Sequence, residues 1–160
     1  MHQQEPALSD EEQRAYDLTI AGEVEAYASG RQKEVGGNFL DVLQQQIDGA
    51  CQQADHAPTT VAHVKYQIFR RETEKAQEKL IEETVSITRL YWGEKLLDDL
   101  GIDGERLTKL AKKLIGDWAL TLTLDGLKII QDNMDILKRA DDRWRAKSPA
   151  MSALDPPVNA

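Results

Sequence analysis

"WALTLTLDGLKII", residues 118–130, decides the fold of this 160-residue chain. Leu120, Leu122 and Leu124 alternate with threonines, as the inward face of a β-strand would. The residues on either side repeat every three or four, as a helix would. Leu107, Leu110, Leu114, Trp118, Leu122, Ile129, Leu137 and Trp144 fall on spacings of three, four or their multiples, whereas the alternation is only three leucines deep. A lone strand here would also have no second strand to pair with. The helical period prevails, and the alternation acquires another meaning. Between 118 and 130 the helix is apolar around much of its girth and needs cover on several sides. Gly116 and Gly126 bracket this part as kinks or as points of close helix approach.

Upstream, "LGIDGE" (100–105) reads as a turn, with Gly101 at the position after a helix and Asp103 capping the next one. Before it, residues 61–100 read as one helix of about 40 residues, ~60 Å long. Val61, Val64 and Ile68 begin its apolar face; Leu80, Ile81, Val85, Thr88, Tyr91 and Trp92 continue it to Leu96, Leu97 and Leu100. The charged "RRETEKAQEK" (70–79) between them carries helix-spaced pairs such as Arg70–Glu74. A break near Arg71 is the alternative.

Further back, "SDEE" (9–12) is a capping box in which Ser9 bonds the backbone near Glu12. Tyr16, Ile20, Val24 and Tyr27 then form one stripe, and Gly30 is the expected stop. Gly36 and Gly37 read as a loop. Leu40, Leu43, Ile47 and Cys51 mark a second helix, ended before Pro58, where Thr59 or Thr60 caps the next.

The expected fold is all-α, a helical bundle. A long antiparallel hairpin of coiled-coil type, residues 61–100 and 105–145, carries two shorter N-terminal helices packed on it. Residues 9–147 make a single helical domain, 1–8 a flexible lead-in, and 148–160 a Pro/Ala/Ser-rich disordered tail. Folding the hairpin about Ile102 sets Leu80 near Leu124 and Ile68 near Ile136. The charged 70–79 stretch then faces 129–134, so the apolar girdle needs the first helices or a second copy to cover it. That shortage predicts a homo-oligomer.

The net charge is −8, and it is unevenly spread. Residues 1–60 hold 3 Lys/Arg against 11 Asp/Glu, and the rest hold 17 of each. The acidic first third disfavours nucleic acid and anionic lipid and suits a basic protein partner. No segment approaches the ~20 apolar residues of a membrane span. The single cysteine fits a reducing, cytoplasmic setting.

Catalytic signals are weak. Cys51 with His56 or His63 lacks an oxyanion turn, and its place on an apolar stripe reads as burial. The scattered histidines include no Glu-x-x-His pair, so a di-metal centre is not expected. There is no GxxxxGK[ST] and no GxGxxG, so no cofactor is expected. A helix-turn-helix reading of 105–128 fails because the would-be recognition helix carries almost no cations. Tyr91, Trp92 and Trp144 are the candidate interface anchors. Arg139, Arg143 and Arg145, with Lys138 and Lys147, form a basic cluster that favours either the helix dipole or an anionic partner. The expectation is a non-enzymatic protein–protein interaction module (adaptor, inhibitor or assembly factor), with the acidic third and the hairpin ends as contact surfaces. The alternative is a nucleic-acid transaction accessory, such as a viral packaging oligomer of the small-terminase kind.

Overall fold

The computed structural model describes residues 8–53 and 55–147. The lead-in and the tail expected at the two ends, and His2, lie outside the described residues, apart from Leu8 of the lead-in. Among the described residues there are helices and no strands: α1 (Asp10–Gln53), α2 (Pro58–Trp92), α3 (Glu94–Asp99), α4 (Gly104–Ile115), α5 (Trp118–Asp132) and α6 (Met134–Lys147). The all-α expectation holds, and 118–130 is helical.

The helices are divided differently from the expected hairpin with two short helices. The first two predicted helices are one, α1, of 44 residues. Neither Gly30 nor the Gly36–Gly37 pair stops it. Each interior glycine costs ~1 kcal/mol against alanine, which packing readily offsets. Gly36 is buried beneath Trp118 and Leu122. The predicted 40-residue helix ends at Trp92, because Gly93 takes φ 87°. The alternative break near Arg71 does not occur. The predicted 105–145 rod is three helices, broken at Gly116 (φ 56°, ψ −131°) and at Asn133.

The described residues form two compact units, each drawing on both long helices. One contains the residues up to Lys33 and Gln77–Gly116. Its core is aliphatic: Ile20, Val24, Leu97, Leu100, Ile102 and Leu107, with Val85, Trp92, Leu110 and Leu114 against it. The α3–α4 turn closes as read from sequence. The Ile102 N–H donates to the Leu97 carbonyl (2.8 Å) and the Gly101 N–H to that of Asp98 (3.0 Å), with Gly101 at φ 72°. Asp103 Oδ1 then accepts the Arg106 N–H at 2.8 Å. The Ser9 cap also forms, its Oγ accepting the Glu12 N–H at 3.1 Å.

The other unit contains Glu34–Ala76 and the described residues from Asp117 onward. Leu43, Ile47, Ala62, Phe69, Leu122 and Leu137 make its core. Phe39, Tyr66 and Trp118 add aromatic area around them, with Phe39 edge-on to Phe69 at 6.2 Å. Here α2 turns a different face inward from the one expected. Ala62, Phe69 and Thr73 are buried, whereas Val64 and Ile68 are exposed. The reason is the partner helix. Phe69 lies tight against Gly126 of α5, where a Cβ would stand 2.5 Å from Phe69 Cε1. Thr73 Oγ1 donates to the Arg70 carbonyl and meets Thr123 Oγ1 at 3.4 Å, which satisfies a buried hydroxyl. The antiparallel register therefore joins Phe69 to Gly126 and Thr73 to Thr123, about two turns from the expected Leu80–Leu124 pairing.

Candidate interaction surfaces

"LYW", residues 90–92, puts three large side chains 100° apart on one helix, so they cannot share a face. Trp92 turns inward, packs on the aliphatic core and donates Nε1–H to Glu23 Oε2 at 2.7 Å. Leu90 and Tyr91 are left outside at 82% and 76% exposure. Ile87 is exposed beside them. Tyr91 meets Trp92 edge-on at 6.0 Å. The rings border a depression of about 270 Å³ lined by Glu23, Tyr27, Ile87, Thr88, Tyr91 and Trp92. Desolvation, then the carboxylate of Glu83, push the Tyr27 hydroxyl above its ordinary value, and Arg31 tempers the effect. Arg31 and Glu83 are paired at 3.1 Å, and Arg89 with Glu94 at 2.6 Å. Asp10, Glu11, Glu12, Glu23 and Glu25 are exposed along the first part of α1. The depression is therefore apolar at its centre with the Glu23 carboxylate of α1 at its edge.

Trp144 and Arg143 belong to the other unit. Together with Cys51, Gln52, Gln53 and Lys147 they line an open cavity of about 330 Å³. Cys51 is half-buried rather than core. Desolvation, then Asp48, push its thiol above the ordinary range, and Arg143 pulls the other way. A thiol held in its protonated form is a poor nucleophile. His56 and His63 are exposed. No group of three or more His, Cys, Asp or Glu among the described residues is placed to hold a metal ion. No helix among the described residues is long and apolar enough to cross a membrane.

The basic cluster lies on α6. Lys138, Arg139, Arg143, Arg145 and Lys147 are all exposed, and none is ion-paired to a described residue. Arg139 bonds the Asp135 carbonyl of its own helix through Nε (3.4 Å). The buried charge of α6 is instead Asp141. It accepts the Thr59 N–H (3.0 Å) and hydroxyl (2.6 Å), so it caps α2 from another helix. Thr59 and Thr60 are not the caps that the sequence suggested. Pro58 opens the helix, and a distant carboxylate satisfies its first free donor.

The six predicted anchors thus fall into two groups, Tyr91 and Trp92 in one unit and Trp144, Arg139, Arg143 and Arg145 in the other. Leu90 was missed, although the 100° rule applied to three consecutive apolar residues would have found it. On α5, Leu120 (59%), Leu124 (58%) and Leu127 (37%) are also uncovered. Leu127 adjoins a groove of about 510 Å³ between α2 and α5–α6, where Tyr66, Ile130, Met134 and Leu137 contribute the apolar walls. Comparison with protein-family models, with curated proteins and with solved structures finds no match to this chain.

Proposed function

We propose that this chain is a protein–protein interaction module, an adaptor, inhibitor or assembly factor that works as a homo-oligomer in the cytoplasm. The observation that carries the reading is the exposure of Leu90 and Tyr91 at the end of α2, with Tyr91 beside Glu23 of α1. Two adjacent large apolar side chains in water are costly to maintain and are natural anchors for a partner. The carboxylates nearby suit a partner with a basic rim around an apolar centre, since such charges steer the encounter and set its orientation. The reading is of a binder rather than an enzyme because the sequence carries no strong catalytic signal.

The test begins with a partner co-purified from the native host and continues with both purified proteins. Leu90→Glu and Tyr91→Ser are expected to weaken binding at least ~10-fold each with helicity unchanged. Added salt is expected to slow association. Wild-type affinity in both variants removes this reading.

One observation favours a second reading. The five exposed cations of α6 have no ion-pair partner among the described residues, as a phosphate-tracking surface requires. A nucleic-acid accessory would bind DNA with a steep salt dependence. Neutralising Arg139, Arg143 and Arg145 would flatten that slope by roughly one unit for each phosphate no longer neutralised.

A further inference from the structure

We infer that the depression between α1 and α2 receives an arginine side chain of the protein partner, stacked on Trp92 and Tyr91 and bonded to Glu23. This rests on the reading of the chain as a binder through Leu90 and Tyr91, and it names the residue that the partner brings. The helix period builds the site. Glu23 and Tyr27 are four apart on α1, as are Ile87 and Tyr91, and Thr88 and Trp92, on α2, so each pair shares a face and the pairs line one groove. Its volume of about 270 Å³ falls short of the ~300–1,000 Å³ of small-molecule pockets and suits one long side chain. Tyr91 and Trp92 stand with their planes at 76° and their centres 6.0 Å apart. A flat cation set between them lies along one ring face and within ~6 Å of the other ring, the reach of a cation–π contact.

The electrostatics of the depression match a cation. Among the described residues, Glu23 is the one charged member of the lining. Its Oε2 accepts the Trp92 indole N–H at 2.7 Å, which fixes the carboxylate at the rim of the ring. Its Oε1 accepts no hydrogen bond from a described residue. The arginines on adjoining turns are committed elsewhere, Arg31 to Glu83 at 3.1 Å and Arg89 to Glu94 at 2.6 Å. Among biological cations, the guanidinium combines a flat, weakly hydrated face for stacking with N–H donors at its edge for a carboxylate. A lysine ammonium is a compact, strongly hydrated charge, and a quaternary ammonium has no donor for Glu23. Leu90, exposed one residue from Tyr91, is left for the apolar residues that flank the arginine on the partner.

The test follows the indole N–H signals of the full chain by NMR while N-acetyl-arginine methylamide is added. The chain has three tryptophans, and Trp92→Phe assigns the signal of interest. That signal should move saturably, with a midpoint on the order of millimolar, as befits one isolated anchor. The lysine counterpart should bind at least ~3-fold more weakly, and the citrulline counterpart, uncharged but of the same shape, should not move the signal. Glu23→Gln keeps an acceptor for the indole and should raise the arginine midpoint ~10-fold. Tyr91→Leu should raise it about 3-fold. Both side chains are exposed, so circular dichroism should not change. No saturable movement, an equal response to citrulline or lysine, or an unchanged midpoint in Glu23→Gln overturns the inference. A failed titration beside a Leu90→Glu variant that loses its partner removes the arginine site alone. A normal titration beside wild-type partner affinity in Leu90→Glu and Tyr91→Ser removes the partner reading, and with it the partner as the source of the arginine.

Discussion

The two units solve the same problem with different chemistry. The unit built on α3 and α4 has an aliphatic core, and polar links join its helices at the edges. Arg31 pairs with Glu83, Arg106 with Asp17, and Gln13 donates to the Leu100 carbonyl. Such partly exposed pairs contribute at most ~1 kcal/mol each, so interchangeable Leu and Ile contacts carry most of its stability. The unit built on α5 and α6 relies on fitted contacts: an aromatic ring on a glycine, a buried threonine pair, a carboxylate capping a distant helix, and the reciprocal amides of Gln44 and Asn133. Fitted contacts fix register more strongly, and they fail more abruptly.

The largest test of that contrast is Gly126→Ala. Its Cβ would lie 2.5 Å from Phe69 Cε1 and 2.9 Å from Cζ. Alanine also gains ~1 kcal/mol of helix propensity, so the clash must exceed that to show. We expect net destabilisation of about 1–3 kcal/mol by urea unfolding, the cost of overpacking a tight core. Phe69→Leu in the same chain makes room and should recover part of the loss, giving a coupling of ~1 kcal/mol or more in a double-mutant cycle. Additive effects would mean that Phe69 and Gly126 do not fix the register.

Asp141→Ala comes next. It leaves the Thr59 N–H and hydroxyl without their acceptor at a mostly buried site. A cost of about 1–2 kcal/mol is expected, with Asp141→Asn losing less because one acceptor oxygen survives. Hydrogen exchange should rise first at Thr59–Val61. Unchanged exchange there would assign the capping elsewhere.

These two sites show which features the sequence reveals and which it conceals. The Ser9 cap, the Gly101 turn, the Asp103 cap and the Ile20–Val24 stripe depend on residues a few positions apart, and they were legible. Leu120, Leu122 and Leu124 were legible too, because the period around them settled helix over strand. The face of α2 was not, since Ala62 and Thr73 are weak apolar signals beside Val64 and Ile68. Only the approach of Gly126 explains why Phe69 turns inward and Ile68 does not. Gly36 misled for a related reason: a local breaker signal is overridden when burial against Trp118 and Leu122 offsets it. Of the surfaces, Tyr91 was placed on the apolar face of the long helix and also named as an anchor, and it is exposed. Leu90 and the uncovered side of α5 needed the packing to be known.

Gly101→Ala probes the aliphatic unit where it does depend on geometry. The residue sits at φ 72°, a conformation that costs a non-glycine residue ~1–2 kcal/mol, and nothing lies within 4 Å of its Cβ position. The expected loss is therefore about 1 kcal/mol, all of it backbone strain. Asparagine, which tolerates this conformation better, should recover part of the loss. Equal losses for alanine and asparagine would point to a packing cause instead.

The smallest effect carries the opposite sign. Gly30 lies inside α1, in the aliphatic unit, with nothing within 4 Å of a Cβ built there. Gly36 lies on the same helix, in the other unit, and a Cβ there would touch Leu122 Cδ1 at 3.4 Å and Trp118 Cζ2 at 3.6 Å. Both glycines cost the helix the same backbone entropy. Gly30→Ala removes that cost without a new contact and should stabilise by about 0.5–1 kcal/mol. Gly36→Ala gains the same propensity and sets its methyl in van der Waals contact with Leu122 and Trp118 at a buried position, so its net gain should be at least that of Gly30→Ala. Urea titration of the two single variants measures the difference directly. A smaller gain for Gly36→Ala would mean that the packing of Trp118 and Leu122 leaves no room even for a methyl group, and the fitted contacts of that unit would then extend to α1.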